Sequence, residues 1–133
     1  MNIIFHFLIN IIIAILLKLN PIEILLVGLG GVLIDIDHIF YIVFKEKIYS
    51  IKKAIKFHKR EFKLMKPHFF FFHFIEIIIL LLAISYFTNW YAFLIFFGFL
   101  LHWLADALKY IYFYRSFFPW IKYYSLIAYL IKK

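Results

Sequence analysis

The chain has 133 residues, 67% of them hydrophobic, a formal net charge of +8 and no cysteine. A soluble domain of this length lacks the interior to hide so much apolar surface, and the mean hydropathy of +0.96 points to lipid as its solvent. Missing thiols exclude disulfides and thiolate-bound metals, and on so apolar a chain the positive balance belongs on loops facing anionic headgroups rather than on nucleic acid.

Four apolar segments follow in chain order, at 3–19, 22–44, 69–88 and 90–113, each near the ~20 residues needed to cross ~30 Å of hydrocarbon. The first has no basic residue ahead of it and no small-residue cleavage site near Lys18-Leu19-Asn20-Pro21, so it reads as a retained helix rather than a signal peptide. Asn20-Pro21 and Thr88-Asn89 are short turns, so each pair of segments is expected to form an antiparallel hairpin. The expected fold class is all-α: one integral membrane domain over 1–133, a bundle of four transmembrane helices.

The middle connection, 45–67, carries Lys45, Lys47, Lys52, Lys53, Lys56, Lys59, Arg60, Lys63 and Lys66 against Glu46 and Glu61. The positive-inside rule places it, and with it both termini, on the cytoplasmic face of the inner membrane. Ile48, Ile51, Ile55 and Phe62 recur at helical spacing among the lysines, which suits a basic amphipathic helix on the bilayer surface. Near the end, 117–131 is interrupted by Lys122 and rich in Trp120, Tyr123, Tyr124 and Tyr129, the pattern of an interfacial helix.

Ionisable side chains inside membrane segments are expensive and mark function by default. Here they are His6, then Asp35, Asp37 and His38, then His73 and Glu76, then His102 and Asp106, with His68 just ahead of the third segment. Helices of alternating direction bring all of them to one level, the cytoplasmic third. His102 and Asp106 share a helix face, as do His73 and Glu76, and Asp35 and His38, while Asp37 points elsewhere. His68 fits an entry turn beside Pro67. Asp35, Asp37, Glu76 and Asp106 would bring four negative charges together, with Lys109 one turn from Asp106 as a cation within reach. Carboxylates so crowded would hold protons; two or three divalent ions with imidazole and carboxylate ligands resolve the conflict. Zinc suits such ligands best, with manganese and iron as alternatives. Taken alone, His6 reads as a packed histidine, and His102 with Asp106 equally as a hydrogen-bonded pair or as ligands; Asp35-Ile-Asp-His38 has few structural uses, and the convergence of all of them points to metal. His58 in the basic loop reads as a surface residue, and Gly28, Gly30, Gly31 and Gly98 as sites of close helix packing.

These motifs resemble those of the membrane-bound metal-dependent hydrolases, the YdjM-type inner-membrane proteins. That family shows an N-terminal His, a Leu-Pro-Asp-x-Asp-His motif ending an apolar helix, a His-Arg-Gly-x-Thr-His motif, and Gly-x-x-x-His-x-x-x-Asp. The counterparts are His6, Leu33-Ile-Asp-Ile-Asp-His38, His68-Phe-Phe-Phe-Phe-His73 and Gly98-Phe-Leu-Leu-His102-Trp-Leu-Ala-Asp106, covering most of residues 6–106. The resemblance, which extends distantly to zinc-dependent phospholipases C and single-strand nucleases, implies His6, Asp35, Asp37, His38, His68, His73, Glu76, His102 and Asp106 as metal ligands. Where the family has Pro this chain has Ile34, and its Arg, Gly and Thr between the histidines are all Phe; the lost Arg is a group that grips phosphate.

The expected activity is hydrolysis of a phosphoester, with phospholipid as the candidate substrate, by a metal-activated water. Asp37 or Glu76, whichever is not a ligand, would be the general base. The alternatives are a carrier or binder of divalent metal or protons, and an inactive scaffold keeping a structural metal.

Overall fold

The computed structural model describes residues 3–50, 52–57, 69–115, 121 and 124–131. Among these residues the structure is all-α, without a strand. The helices are α1 (Ile3–Leu16), α2 (Pro21–Leu33), α3 (Ile36–Phe40), α4 (52–57), α5 (Ile75–Thr88), α6 (Trp90–Tyr114) and α7 (Leu126–Ile131). A π-helical turn, Tyr41–Lys45, continues α3, and a 3-10 turn, Phe71–His73, precedes α5.

Local chemistry explains the two hairpin turns. Lys18 takes a positive φ of 57° and ends α1. Asn20 Oδ1 then accepts from the backbone N–H of Ile22 and of Glu23, both at 3.1 Å, and Glu23 Oε2 accepts from the Asn20 N–H at 2.9 Å. That reciprocal box starts α2, with Pro21 at a position where no backbone donor is lost. Asn89 Oδ1 caps α6 by accepting from Ala92 N–H at 3.0 Å. The two turns are joined: Trp90 Nε1 donates to Glu23 Oε1 at 2.8 Å.

Two helical stretches are long and apolar enough to cross a membrane, Pro21–Lys45 with 25 residues and Trp90–Phe113 with 24. The other two expected spans come out shorter. α1 and α5 have 14 residues each, about 21 Å at 1.5 Å per residue. The third segment, expected as one helix over 69–88, begins only at Ile75, because Phe72 N–H and the His73 ring are turned to Asp37 instead of into a helix. The expected 22–44 helix is stepped at Ile34-Asp35, where Asp35 N–H reaches back three residues to Val32 O at 3.2 Å. In the basic loop, residues 52–57 are helical with Lys52, Lys53 and Lys56 exposed. Ile51 and 58–68 lie outside the described residues, and so do 116–120, 122 and 123 ahead of the short α7.

Glu23 meets Trp90, Gly30 meets Gly98 and Gly31 meets His102, so α2 and α6 run parallel through the centre. α1 packs on α2 and α5 on α6. The crossing is backbone on backbone: a Cβ at Gly30 would overlap Ile95 O, and one at Gly98 would overlap Val27 O. Asn10, fully buried in α1, stitches the crossing by donating from Nδ2 to Val27 O at 3.1 Å and to Gly98 O at 3.0 Å. One apolar cluster (Ala14, Val27, Leu94) fills the end near the turns. A larger one (Ile34, Ile78, Phe99, Trp103, Ala107, Tyr110) fills the other end, beside the histidines.

Candidate metal centre

The step between α2 and α3 sets the site. His38 N–H bonds Asp35 O at 3.1 Å, closing a tight turn that presents Asp35, Asp37 and His38 from one joint. The 3-10 turn supplies His73, α6 supplies His102 and Asp106, and α1 supplies His6. Five of these side chains are buried or nearly so: His6, His38, His73, His102 and Asp106.

They form two groups whose donor atoms lie within 4.8 Å of one another, His6–His102–Asp106 and Asp35–His38–His73. In the first, His6 Nε2 stands 3.3 Å from Asp106 Oδ1, and His102 Nε2 stands 3.7 Å from Asp106 Oδ2. The His6 ring stacks on His102 with centroids 3.9 Å apart. Asp35 joins the groups, since its Oδ1 is 3.6 Å from His73 Nε2 and 3.7 Å from His102 Nε2.

Tautomers follow from the partners. His102 Nδ1 lies 2.6 Å from Gly31 O, a carbonyl with no proton to give, so Nδ1 carries the hydrogen. His73 Nδ1 likewise donates to Asp37 Oδ2 at 3.2 Å. Both rings therefore turn Nε2 toward Asp35 Oδ1, and neither Nε2 has a hydrogen-bond partner. In the neutral rings, two buried lone pairs would face one carboxylate, which is repulsive unless a proton or a metal cation lies between. The spacings fit that use. A tetrahedral ion with bonds of 2.0–2.1 Å separates its donors by about 3.3–3.4 Å, and the four contacts of 3.3, 3.6, 3.7 and 3.7 Å straddle or slightly exceed that edge. The donor set could hold a metal ion.

The remaining predicted residues sit elsewhere. Asp37 has both oxygens engaged: Oδ1 accepts from His38 Nδ1 at 2.8 Å, and Oδ2 accepts from Phe72 N–H at 3.0 Å as well as from His73. It orients two histidines rather than facing the centre with a free oxygen, the arrangement that fixes ligand tautomers in metal sites. Glu76 does not share a face with His73, because the helix that would align them starts after the 3-10 turn. Its carboxylate accepts instead from Ser125 Oγ at 2.5 Å, Leu126 N–H at 2.9 Å and Ile127 N–H at 3.3 Å. Lys109 is exposed, and the ion pairs of Asp106 are with His6 and His102. His68 and His58 lie outside the described residues.

Two residues were not singled out from the sequence. Asn10 stands one helical turn from His6, a spacing that could have marked it as part of the same inward face. Tyr124, read as an interfacial aromatic, packs against the larger core cluster with its ring 5.8 Å from that of His73. Burial, then the charges of Asp106, Asp35 and Asp37, push its phenol above the ordinary tyrosine range. Nothing in the local sequence signals that placement. No family model matches this chain, and no curated protein or solved structure matches it either.

Proposed function

We propose that this chain is a membrane-embedded, metal-dependent hydrolase of phosphoester bonds, acting on phospholipid headgroups. The observation that carries the metal is the pair of partnerless nitrogens, His73 Nε2 and His102 Nε2, turned on one oxygen of Asp35. His6, His102 and Asp106 would hold one ion and His38 and His73 a second, with Asp35 between them. Zinc is the first choice for this nitrogen and carboxylate set, ahead of manganese and iron. Bound there, a divalent cation would supply Lewis acidity toward a phosphoryl oxygen and would lower the pKa of a water to ~7. The chain's own part is orientation. Asp37 fixes the tautomers of His38 and His73, and the Gly31 carbonyl fixes that of His102.

Membrane placement is supported by the apolar side chains left exposed around the bundle, such as Ile4, Leu8 and Ile12 on α1, Ile79 and Ile84 on α5, and Leu104 and Leu108 on α6. In the four-span reading, α1 and α5 cross a bilayer thinned around them. Lys45, Lys47, Lys52, Lys53 and Lys56 are exposed just beyond α3, on the same side as the site. They suit attraction to anionic lipid on the cytoplasmic face.

A second reading, a structural metal without catalysis, is favoured by one contact. Phe70 lies on the His38 ring at 3.9 Å, in the strap where the resembled family carries Arg, Gly and Thr. Purification in detergent, metal counting and assay of phosphodiester cleavage decide between them. The hydrolase reading expects bound metal and cleavage, both lost or sharply reduced in His102→Ala and Asp106→Ala. A metal-free protein that folds normally refutes both readings, and bound metal without cleavage of any phospholipid or model diester leaves the structural one.

A further inference from the structure

We propose that Glu76 is a positioning residue: it clasps the arm 124–131 against the candidate metal centre, and release of that clasp opens the route by which an ion enters and leaves. The inference rests on the metal-centre reading above and adds how the site is reached.

Access is the difficulty the geometry poses. The side chains of His6, His73 and His102 are 1%, 2% and 0% exposed, and that of Asp106 is 9% exposed. A hydrated ion does not reach such donors unless an element moves. The bundle helices are fastened: α2 and α6 meet backbone on backbone at Gly30 and Gly98, and Asn10 ties α1 to that crossing. The 3-10 turn is fastened too, by Asp37 through Phe72 N–H and the His73 ring. The arm is attached differently, by one face of a short helix. The Tyr124 ring stands 5.8 Å from that of His73 and packs on the core cluster beside it. The Tyr129 ring meets Phe69 at 5.7 Å and Phe74 at 5.9 Å, on either side of His73 in sequence. Ile127, Leu130 and Ile131 face away from the bundle and are exposed.

A carboxylate supplies the polar hold on that arm. Glu76, in the first turn of α5, accepts from Ser125 Oγ at 2.5 Å, from Leu126 N–H at 2.9 Å and from Ile127 N–H at 3.3 Å. Ser125 Oγ in turn accepts from Ala128 N–H at 3.2 Å. Between them the two side chains satisfy three N–H groups that the start of α7 would otherwise leave without partners. Bonds to an ionised acceptor are roughly twice as strong as neutral ones, so a single side chain sets the register of the arm. Glu76 lies three residues past His73, and while the clasp holds, ligand and arm stay in a fixed relation. All three donors come from the arm, so the joint can part without unfolding a helix of the bundle. Glu76 thus acts on the centre through the arm rather than by touching it.

The test uses the full chain in detergent, loaded with zinc. It follows the rate at which excess chelator strips the metal, and amide hydrogen exchange along the chain. Glu76→Ala is expected to speed metal release about tenfold or more and to speed exchange at Leu126 and Ile127, with metal stoichiometry unchanged. Glu76→Gln keeps the side-chain volume and one accepting oxygen, and its release rate should fall between those of Glu76→Ala and the parent. Ser125→Ala cuts the clasp from the side of the arm; it should shift both rates in the same direction, and it keeps the test decisive if Glu76→Ala does not fold. Faster release with the amides of α1 and α6 as protected as in the parent upholds the proposal. Faster release with those amides also deprotected marks a general loosening and overturns it. Metal-loaded variants that release at the parent's rate overturn the arm's role and leave the metal centre standing, whereas a parent that takes up no metal overturns both.

Discussion

Gly98→Ala tests whether the helix crossing and the metal centre are one mechanical unit. A Cβ at Gly98 would overlap Val27 O and stand 2.9 Å from Gly30 Cα and 3.0 Å from Gly31 N, all of them backbone that cannot swing aside. Restoring a C···O separation of ~3.3 Å requires α2 and α6 to part by about 1 Å. The same shift opens the bond between His102 Nδ1 and Gly31 O, now 2.6 Å, and strains the Asn10 bond to Gly98 O, now 3.0 Å. Overpacking costs about 1–3 kcal/mol, and each weakened hydrogen bond about 0.5–1.5 kcal/mol, so the total loss is about 2–6 kcal/mol. Gly28→Ala is the matched control. Its Cβ would meet Ile11 Cδ1 at 2.7 Å and Phe7 Cε2 at 2.9 Å, the ends of side chains that can rotate away, and less than about 1 kcal/mol is expected. Thermal unfolding in detergent and metal content, measured on both variants, give the comparison. Equal stability of the two, or full metal retention in a destabilised Gly98→Ala, would refute the coupling.

Two further outcomes follow from the same contacts. Asp37→Asn leaves the volume of the side chain intact but makes it a poorer acceptor for the two imidazoles, so metal affinity should fall about 10- to 100-fold while stoichiometry at saturation is kept; competition with a chelator reads this, and unchanged affinity would remove the orienting role. Asn10→Ala deletes two buried donors at the helix crossing and should lower stability by about 1–3 kcal/mol, measured as a drop in the unfolding midpoint, with no such drop at the exposed Asn20 replaced by Asp, which still caps α2.

How much of this was legible in the sequence depended on whether a residue's neighbours obeyed a regular helix. His102 and Asp106 did, because α6 runs unbroken from Trp90 to Tyr114 and the four-residue spacing places both on one side. The glycines did too, since small residues inside long apolar helices have few uses other than close approach. His73 and Glu76 did not. The three-residue rule presumes a continuous helix, and tertiary hydrogen bonds to Asp37 replaced its first turn with a 3-10 turn. The lengths of α1 and α5 were overread for a related reason: apolarity extends past the helix ends, through Leu17 and Leu19 in one case and Phe69 to Phe74 in the other. Helix spacing already turns Asp37 away from Asp35 and His38, but its hold on Phe72 N–H and the His73 ring rests on an element 35 residues away. Tyr124 is placed by contacts remote in sequence, such as that between Ser125 and Glu76, 49 residues apart, and no local pattern carries that.

The link from Trp90 to Glu23 gives the bundle a pivot. Both hairpin turns are fastened there, and the glycine crossing, backbone on backbone, holds the helices a second time partway along. From Glu23 to Asp35 is 12 residues, roughly 18 Å of helix, so a swing of about 5° at the turns displaces the donors by roughly 1.5 Å. That is close to half the distance between neighbouring donors, enough to undo a coordination shell. The crossing stands against such a swing, since the same 5° at Gly30 would part the helices by about 1 Å, the displacement that Gly98→Ala would impose; two contacts remote from the donors thus set the spacing between them.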